Sequence, residues 1–473
     1  MRRLIERYRL PECFVKYSHN QHPVQRQGFF TLGEGTVCFG SCSAHPLARS
    51  ANNGVCNVLD RVRFHENILE LPFDPDQLVD NLVLERYRTN ARDLSNQLAL
   101  RSLYYAFRPL LPLTIRKQLQ RFYLTGWEKI QFPHWPVDVT VERIQEKYLE
   151  LLMKAQGLQT LPFIWFWPDA YDSCAIVTHD VETEKGRNFC SSLMDIDDSF
   201  SIKSAFQIVP EARYTVSPSF LSEIRSRGFE INVQDLNHDG CLLRDEKQFM
   251  QRIVAVNEYG RKFEAQGFRA AIMFRNQQWY HALDFGYDMS VPNTAHLEPQ
   301  RGGCCTVFPY FIGRLLELPL TTTQDYTLFH LLNQYSLMLW KRQIALIRQK
   351  HGLIHILVHP DYIMEKREQG TYVQLLTYLD RLRRTERVWI TTPGQLNRWW
   401  RQRSKLTLIH NGTQWRIAGD GCERARLAYA RLEGDIISYE IASLKGQGTA
   451  TFAGTEAPRV EGPSVFEKPI PSL

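Results

Sequence analysis

Between residues 172 and 400, short apolar segments alternate with amphipathic ones, and this alternation constrains the fold more than any other feature. The strand candidates are Cys174–Thr178, Lys203–Val209, Phe229–Val233, Ala270–Phe274, Leu315–Pro319, Ile354–His359 and Val388–Thr392. The helix candidates are Pro218–Arg227, Asp245–Gln266, Asp325–Lys350 and Tyr372–Thr385. Such alternation is typical of parallel βα units. It predicts an α/β fold in which about seven strands form a distorted (β/α) barrel, with functional sites at the carboxyl ends of the strands.

The rest of the 473-residue chain is predicted to form three further parts around a barrel that spans 172–403. Residues 1–160 are β-rich and then helical, with a hairpin expected around Gly33-Glu34-Gly35. Residues 405–443 contain strand-like segments joined by turns such as Asn411-Gly412, which predicts a small β appendage. Residues 444–473 are rich in glycine, proline and glutamate and are predicted to be a flexible tail.

The segment Thr178-His179-Asp180-Val181-Glu182 follows one of these apolar runs and holds the first candidate site. Residues two apart on a strand point to the same face, so Asp180 and Glu182 can converge on one spot. Two carboxylates and an imidazole at the carboxyl end of a strand suit metal binding and general base chemistry. A surface turn with solvated acids is the alternative that this segment alone leaves open.

Polar residues also follow three other predicted strands. The turn after Phe229–Val233 holds Gln234, Asp235, His238 and Asp239. Arg275 follows the next strand, where an arginine can orient a carboxylate through paired hydrogen bonds, a surface salt bridge being the alternative. His359 ends a nearly wholly apolar segment and suits a general acid, because its charge changes near neutral pH.

In their order along the chain, these segments resemble the motifs of the polysaccharide deacetylase domain, also called the NodB homology domain, of the fourth carbohydrate esterase family. Thr178–Glu182 resembles the first motif, Gly228–Ile231 keeps the context of the second, and His359 stands in the Leu-x-His-Pro form of the fifth. Arg275 matches the arginine of the third motif, with Gln277 in place of the customary proline.

The fourth motif is matched only weakly, around Tyr287-Asp288-Met289-Ser290. Two flanking segments, 104–112 and 298–306, resemble deacetylase-like proteins that sit among bacterial glycosyltransferases of surface-polysaccharide synthesis. The resemblance covers about half of the chain and implies a distorted (β/α) barrel.

The resemblance also implies a role for each matched residue. Asp180 would be the catalytic base, and Arg275 would hold it in its ionised form. Glu182 and His238 would bind a divalent metal, and His359 would protonate the leaving amine. The implied reaction is metal-dependent N-deacetylation of an N-acetylated amino sugar in a glycan or a lipid-linked saccharide precursor, with zinc, cobalt or manganese as the metal.

Gln234 stands where the family has its first metal-binding histidine, and this leaves three outcomes open. Gln234 completes a weaker site for a harder metal, or another residue takes its place, or the metal is lost and the barrel is kept to bind sugar. The candidate accessory residues are His179, Asp235, Asp239 and Asp361. The presence of Asp180, Arg275 and His359 favours an active enzyme. The alternative is a catalytically impaired barrel that binds carbohydrate or acts as a scaffold in polysaccharide assembly.

The composition of the chain limits which partners and which location we expect for it. A formal net charge of +6 is too small for this length to indicate nucleic-acid binding. The ten cysteines show no repeated C-x-x-C pair and are expected to be reduced thiols. The sequence has no apolar signal core after its first basic residues and no run of about 18 apolar residues. These features predict a cytoplasmic protein, or one at the inner face of a membrane.

Two basic clusters bear on that membrane prediction. They are Arg381–Arg384 and Arg398–Lys405, and the second contains Trp399 and Trp400. Basic side chains next to tryptophan suit an anionic membrane surface or a phosphate-bearing ligand, whereas a solvated helix end is the alternative. An N-acetylated, lipid-linked saccharide met at the membrane surface is therefore the expected substrate.

Overall fold

The computed structural model describes residues 1–19, 27–43, 47–51, 54–88, 124–412 and 414–442. The strands are β1 Tyr17–His19, β2 Gly28–Thr31, β3 Val37–Gly40, β4 Arg63–His65, β5 Ile68–Leu71, β6 Thr160–Ile164, β7 Ser173–Val181, β8 Ala205–Ile208, β9 Glu230–Gln234, β10 Gly267–Arg269, β11 Tyr287–Asp288, β12 Tyr310–Ile312, β13 Leu315–Glu317, β14 Leu353–Val358, β15 Val388–Ile390, β16 Thr407–His410, β17 Trp415–Ala418, β18 Leu427–Glu433 and β19 Ile436–Ile441. The α-helices are α1 Arg2–Tyr8, α2 Pro75–Val83, α3 Thr140–Ala155, α4 Glu184–Ser199, α5 Pro218–Ser226, α6 Glu246–Lys262, α7 Met338–Arg348, α8 Lys366–Thr385 and α9 Pro393–Arg403.

A curled, mostly parallel sheet forms the centre of the protein. Its strand order is β12-β13-β11-β10-β9-β8-β7-β14, and β15 also pairs with β7. All of these pairs are parallel except β12 with β13. The strand β7 is buried along its whole length, as its apolar start predicts. The predicted α/β fold with a distorted (β/α) barrel is therefore confirmed, with eight parallel strands rather than seven.

Side chains, rather than strand pairing, link β13 to β14 in the described part of the chain. After β13, the hydroxyl of Thr321 donates to the backbone oxygen of Leu353 at 2.7 Å. The hydroxyl of Thr322 donates to the backbone oxygen of His355 at 2.6 Å. Because these bonds replace a ladder, the barrel is distorted here and leaves room for side chains at its carboxyl end.

Capping residues explain where several of the crossover helices begin. Thr183 accepts a hydrogen bond from the backbone nitrogen of Gly186 and starts α4 directly after β7. Asp245 caps α6 in the same way, and Ser217 caps α5. Each cap satisfies a backbone donor that a helix leaves unpaired, so the polar residue fixes the first turn.

Two predicted elements are placed wrongly. The fourth strand was expected at Ala270–Phe274, but β10 ends at Arg269 and the chain then makes a tight helical turn over Ala271–Met273. Ile272 has a positive φ of 61° in that turn, a conformation that an apolar run does not predict. The helix expected over Asp325–Lys350 is broken into a π-helical turn, Thr327–Leu331, and α7.

Residues outside the barrel add smaller sheets. The hairpin expected around Gly33–Gly35 is confirmed as β2 and β3. In the region of the predicted β appendage, β18 pairs with β19 and also with β6, which precedes the barrel. Residues Met1–Ile441 form one compact unit. The expected domain boundaries stay predictions, and the segments 104–112 and 444–473 lie outside the described residues.

The tryptophans of the second basic cluster are buried at the amino end of the barrel strands. Trp399 and Trp400 are 3% and 4% exposed, and Trp399 donates to the backbone oxygen of Phe166. Arg403 is 1% exposed and donates to three backbone oxygens. The other cluster, Arg381–Arg384, ends α8, a helix that leads from the carboxyl edge of the sheet back to β15. The two tryptophans of the expected membrane patch therefore belong to the core. They lie on the opposite side of the barrel from the strand ends that carry the candidate site.

No helix in the described ranges is both long enough and apolar enough to cross a membrane.

Candidate functional site

Strand β7 places Asp180 on the inner face of the barrel, where Arg269 binds it. Arg269 Nη1 donates to Asp180 Oδ1 at 2.6 Å and to the hydroxyl of Thr178 at 3.1 Å. Arg269 Nε donates to the backbone oxygen of Met289. The guanidinium is fully buried and Asp180 is 2% exposed. The pair therefore fixes the orientation of the carboxylate at the end of β7.

Arg275, which the motif resemblance assigned to Asp180, lies in a different contact, and this assignment is wrong. Its guanidinium forms a two-point pair with Glu85, at 2.6 Å from Nε and 2.5 Å from Nη2. The backbone nitrogen of Gly303 also donates to Glu85. The error follows from the misplaced strand, because the residue at the carboxyl end of β10 is Arg269.

Three side-chain nitrogens converge on one oxygen of Glu182. His238 Nε2 lies 2.8 Å from Glu182 Oε1, Gln234 Nε2 lies at 3.1 Å, and His359 Nε2 lies at 3.5 Å. Gln234 Nε2 also donates to Asp180 Oδ2 at 3.1 Å, so a single amide bridges the two carboxylates. The structure thus brings five of the six predicted catalytic and metal-binding residues together.

Asp325 binds the edge of the His359 imidazole that faces away from Glu182. Its carboxylate accepts from His359 Nδ1 at 2.7 Å and from the backbone nitrogen of His359 at 2.7 Å. The second ring nitrogen, Nε2, is therefore left to face Glu182. The ring of Tyr362 packs against the imidazole with centroids 4.8 Å apart. This arrangement suits a histidine that must keep one proton and present it in a fixed direction.

The charges of these groups depend on one another. Burial alone would raise the pKa of Glu182, but His238 and His359 outweigh it and hold that pKa well below its usual value. Burial alone would lower the pKa of His359, but Asp325 and Glu182 raise it well above the usual value. The pKa of His238 is also raised, because Glu182 outweighs the effect of burial. Both imidazoles therefore favour their protonated forms beside an ionised Glu182.

Of the four accessory candidates, three make structural contacts elsewhere and one lies near the site. His179 points to the outer face of β7 and bonds to Asp197, so its assignment as a possible metal ligand is wrong. Asp239 is paired with Arg252 at 2.7 and 2.9 Å, outside the cluster. Asp235 caps the backbone nitrogen of Leu236. Among the described residues, none of these three belongs to the group of close ligand atoms that Asp180, Glu182 and His359 form.

Asp361 is the accessory residue that remains near the site. It follows His359 by two residues, and one of its oxygens is buried without a hydrogen-bond partner among the described residues. Burial raises the pKa of Asp361, against the lowering effect of His359. It is a neighbour of the acid cluster rather than one of its bonded members.

The donor set fits a divalent cation. Asp180, Glu182 and His359 each offer one ligand atom, and these atoms lie within 4.8 Å of one another. His238 adds an imidazole nitrogen beside Glu182. Carboxylate and imidazole are ligands that zinc and related metals prefer. Gln234 Oε1 and His238 Nδ1 are buried and lack partners among the described residues, so the cluster keeps coordinating or bonding capacity that those residues do not use.

The loop that carries His238 is held in an uncommon backbone conformation. Asp235 and His238 have φ values of 54° and 55°, in the left-handed region that side chains other than glycine rarely adopt. Such strain costs on the order of 1–3 kcal/mol per residue and persists where the surroundings fix it. It is most common where a side chain must be aimed, as His238 is aimed at Glu182.

Sequence reasoning missed three residues of the site: Arg269, Asp325 and His355. His355 Nε2 lies 2.8 Å from Arg269 Nη2 and 3.2 Å from the hydroxyl of Thr178, deeper in the barrel. A carboxylate in the loop after β13 was a usable signal for Asp325, because β13 ends at the same edge as β7. Nothing in the sequence pattern alone indicates that His355 supports Arg269.

No protein-family model matches the chain, and no curated protein matches it. Solved structures do. A protein assigned as a polysaccharide deacetylase from Mycobacterium smegmatis is 18% identical, with a TM-score of 0.40, over 50% of this chain and 93% of its own. An allantoinase is 12% identical, with a TM-score of 0.41, over 50% and 92%. A peptidoglycan deacetylase from Bacillus subtilis is 13% identical, with a TM-score of 0.30, over 49% and 93%.

Polysaccharide deacetylases are thus among the solved structures to which about half of this chain is similar.

Proposed function

We propose that this protein removes the acetyl group from an N-acetylated amino sugar, with the help of a divalent metal. One observation carries the proposal. Asp180, oriented by Arg269, and His359, oriented by Asp325, converge on Glu182 at the carboxyl edge of the barrel. A positioned carboxylate and a positioned imidazolium at one spot are what amide hydrolysis requires, because water must lose a proton and the leaving amine must gain one.

Asp180 is the proton acceptor in this scheme. Arg269 binds one of its oxygens and Gln234 binds the other, so the carboxylate cannot rotate away from the site. The Gln234 bond is the weaker of the two at 3.1 Å, which leaves Oδ2 as the oxygen that can exchange this partner for a water molecule. From there it takes the proton of the water that attacks the acetyl carbon.

His359 is the proton donor. Asp325 raises its pKa and binds Nδ1, so the ring carries a proton on Nε2 near neutral pH. That nitrogen faces the interior of the cluster, where the leaving nitrogen of the sugar would lie. Protonation at this point lets the nitrogen leave as a neutral amine when the carbon–nitrogen bond breaks, whereas without the proton it would have to leave as an amide anion, a very poor leaving group.

Glu182 and His238 would hold the metal, with the unpartnered Gln234 Oε1 available as a neutral oxygen donor. When bound, a divalent metal supplies polarisation of the acetyl carbonyl and lowers the pKa of the attacking water. The carboxylate and imidazole ligands suit zinc, cobalt or manganese.

A second candidate function is carbohydrate binding without turnover. It is favoured by the Gln234 amide, whose nitrogen donates to both Asp180 and Glu182. Together with the protonated imidazoles, this amide compensates the charge of the two carboxylates without a metal ion. A deacetylase-like barrel of this kind would retain a polar, sugar-binding mouth and have no metal requirement.

Metal analysis and acetate release separate the two functions. The purified protein is loaded with zinc, cobalt or manganese and incubated with N,N′,N″-triacetylchitotriose. The first function predicts about one metal ion per chain, acetate release that depends on that ion, and loss of release with a chelator. A protein that stays metal-free, releases no acetate and still binds the trisaccharide supports the second function and contradicts the first.

A lipid-linked saccharide at the inner membrane face is the proposed natural substrate, and a cytoplasmic location is proposed with it. The exposed side chains of Arg381, Arg384 and Arg398 supply positive charge for contact with a membrane, although they lie on the opposite side of the barrel from the candidate site. Co-sedimentation with anionic vesicles tests it. Binding that weakens as salt is added supports the proposal, and the absence of binding at low salt contradicts it.

A further inference from the structure

His179 is the neighbour of the proposed base but faces away from the site. Strand β7 points Asp180 into the barrel and His179 to the outer face, where the imidazole is fully buried. The rings of Phe206 and Tyr372 pack against it, with centroids 5.1 and 5.9 Å away. A buried imidazole must satisfy its nitrogens with groups of the protein, so the partners of His179 indicate its role.

Each ring nitrogen of His179 has an acceptor. Nδ1 lies 3.1 Å from the backbone oxygen of Val358, and Nε2 lies 3.0 Å from Asp197 Oδ2. A carbonyl and an ionised carboxylate only accept hydrogen bonds, so both nitrogens of the ring donate. The hydroxyls of Tyr372 and Ser204 also donate to Asp197, at 2.6 and 2.7 Å. His179 therefore joins this buried carboxylate to the end of β14.

The bond to Val358 acts on the peptide group that carries the proposed acid. Val358 ends β14, and its carbonyl shares a peptide group with the backbone nitrogen of His359. That nitrogen donates to Asp325 Oδ2 at 2.7 Å, while the oxygen accepts from His179. Side chains thus hold both polar atoms of this peptide group. Its orientation sets the direction in which His359 leaves the strand, and hence where Nε2 points.

Asp197 connects the same contact to α4, the helix that follows β7. It lies in the last turn of α4. The first turn of α4 packs against the segment after His359, since a β-carbon on Gly186 would lie 3.4 Å from Asp361 Oδ1. The helix therefore meets the acid-bearing segment directly at one end and through His179 at the other.

We propose that His179 is a positioning residue, whose bond to the Val358 carbonyl aims His359 at the site while its bond to Asp197 stabilises the fold. The kinetic part of this inference rests on the proposed deacetylation, whereas the structural part rests on the contacts alone. A misplacement of about 1 Å can cost about 10²-fold in rate. Because Asp325 still holds the other side of the peptide, we expect a smaller loss when the His179 bond is removed.

Two substitutions of His179 separate its two bonds. The amide nitrogen of asparagine reaches about as far along the side chain as Nδ1 of histidine, so His179→Asn can keep the bond to Val358 and loses the bond to Asp197. The amide nitrogen of glutamine reaches about as far as Nε2, so His179→Gln can keep the bond to Asp197 and loses the bond to Val358. Both amides are neutral donors of similar strength.

The two variants should show opposite patterns. In the metal-loaded protein, His179→Gln should lower kcat for acetate release about ten-fold, with KM within about two-fold and little change in Tm. His179→Asn should keep kcat within about three-fold of wild type and lower Tm by about 5 °C, because the buried Asp197 loses a partner. A purely structural histidine would change Tm without this division of kcat between the variants.

Proton NMR of the metal-free protein gives a second readout that needs no turnover. The hydrogen on His359 Nδ1, in a 2.7 Å bond to Asp325, is expected to give a separate downfield resonance. Its absence from the spectrum of Asp325→Asn identifies it. The resonance should shift in His179→Gln and keep its position in His179→Asn.

Tyr372→Phe is the matched control. It removes a donor to Asp197 and leaves the bond between His179 and Val358 in place. This variant should lower Tm and leave kcat, KM and the His359 resonance unchanged. If His179→Gln does not fold, the double variant His179→Leu with Asp197→Asn removes the Val358 bond without leaving an unpaired charge, and it should show the same loss of kcat.

Unchanged kcat and an unchanged resonance in His179→Gln overturn the proposal. So does an equal loss of kcat in His179→Gln and Tyr372→Phe, since the network would then act only through stability. A resonance that shifts only in His179→Gln, in a protein that releases no acetate, supports the positioning role and contradicts deacetylation. Acetate release by wild type, with kcat and resonance unaffected in His179→Gln, supports deacetylation and contradicts the positioning role.

Discussion

Two buried arginine–carboxylate pairs in this protein look alike and differ in what surrounds them. Arg269 binds Asp180 inside the barrel, and Arg275 binds Glu85 where the segment after α2 meets the barrel. Both guanidiniums are fully buried. In the Glu85 pair, both carboxylate oxygens are bonded, and the remaining donors of Arg275 reach the backbone oxygens of Met273 and Gln300.

Around Asp180 the hydrogen bonding is incomplete. Gln234 Oε1, His238 Nδ1 and one oxygen of Asp361 have no partner within the described residues. Complete satisfaction is what a pair needs when it joins two parts of a fold, since any unpaired charge there is costly. Unused bonding capacity beside charged groups is what a site needs in order to bind something else. The difference supports the proposed roles, in which the Glu85 pair stabilises the fold and the Asp180 pair takes part in the chemistry.

Asp180→Asn should have the largest effect on activity. Removing the proton acceptor is expected to lower kcat for acetate release by about 10²- to 10⁴-fold. The rate is measured per folded molecule with the metal-loaded protein. Asp169→Asn is the matched control, since it breaks a partly exposed pair with Arg424 outside the barrel mouth and should leave kcat unchanged. Similar rates for both variants would contradict the assignment.

Glu85→Ala should have the largest effect on stability. It leaves Arg275 buried without its partner, so the free energy of unfolding is expected to fall by about 3–5 kcal/mol. Chemical denaturation measures this, and kcat of the remaining folded protein should be unchanged. A double variant, Glu85→Leu with Arg275→Met, should recover much of the loss. Loss of kcat without loss of stability would place the Glu85 pair in the site instead.

The sequence predicted the barrel well because its periodicity reports burial directly. Six of the seven expected strands overlap observed ones. They include β7, which carries Asp180 and ends one residue before Glu182, and β14, which ends one residue before His359. The two-residue period of β7 also separates His179, which faces outward, from Asp180. The alternation along the strand therefore already distinguishes His179 from Asp180 in the sequence.

The periodicity of the sequence does not indicate whether Arg269 or Arg275 binds Asp180. Gly267-Phe268-Arg269 is short, and the apolar run that follows it looks more like a strand, yet the chain turns there with Ile272 at positive φ. The Arg275 pair joins residues 190 positions apart in the sequence, and no local pattern reports such a contact. The helix predicted over Asp325–Lys350 is broken in the structure, so the sequence pattern does not indicate the contact between Asp325 and His359 either.

The variant Gln234→His changes only the site around Asp180, where the hydrogen bonding is incomplete, and leaves the Glu85 pair intact. An imidazole at this position gives zinc a preferred ligand, and zinc affinity is expected to rise by about ten-fold. Titration against a competing chelator measures it. Gln234→Leu, which has no donor atom, is the matched control and should bind zinc more weakly than wild type. Equal zinc affinity in all three proteins would show that Gln234 does not face the cation.

The dependence of stability on acid pH should test the ion pair between Glu85 and Arg275. Burial alone would raise the pKa of Glu85, but Arg275 and Arg88 outweigh it and lower that pKa. The stabilisation is therefore complete above the unfolded value of about 4.3 and is lost as pH falls through the lower folded value. The stability gap between wild type and Glu85→Ala should shrink below that pH, by at most about 1.4 kcal/mol per pH unit. A gap that does not change between pH 6 and pH 3 would contradict the depressed pKa.

The most direct test compares Arg269→Lys with Arg275→Lys, since lysine keeps the charge at both positions but cannot reproduce the several hydrogen bonds that each guanidinium makes. Acetate release by the metal-loaded variants is measured per folded molecule, beside their unfolding free energies. Arg269→Lys should lose about 10²-fold or more in kcat, because Asp180 is no longer held in place, while Arg275→Lys should lose stability and keep its kcat. If Arg275→Lys loses the activity and Arg269→Lys retains it, the site described around Asp180 is not the catalytic one.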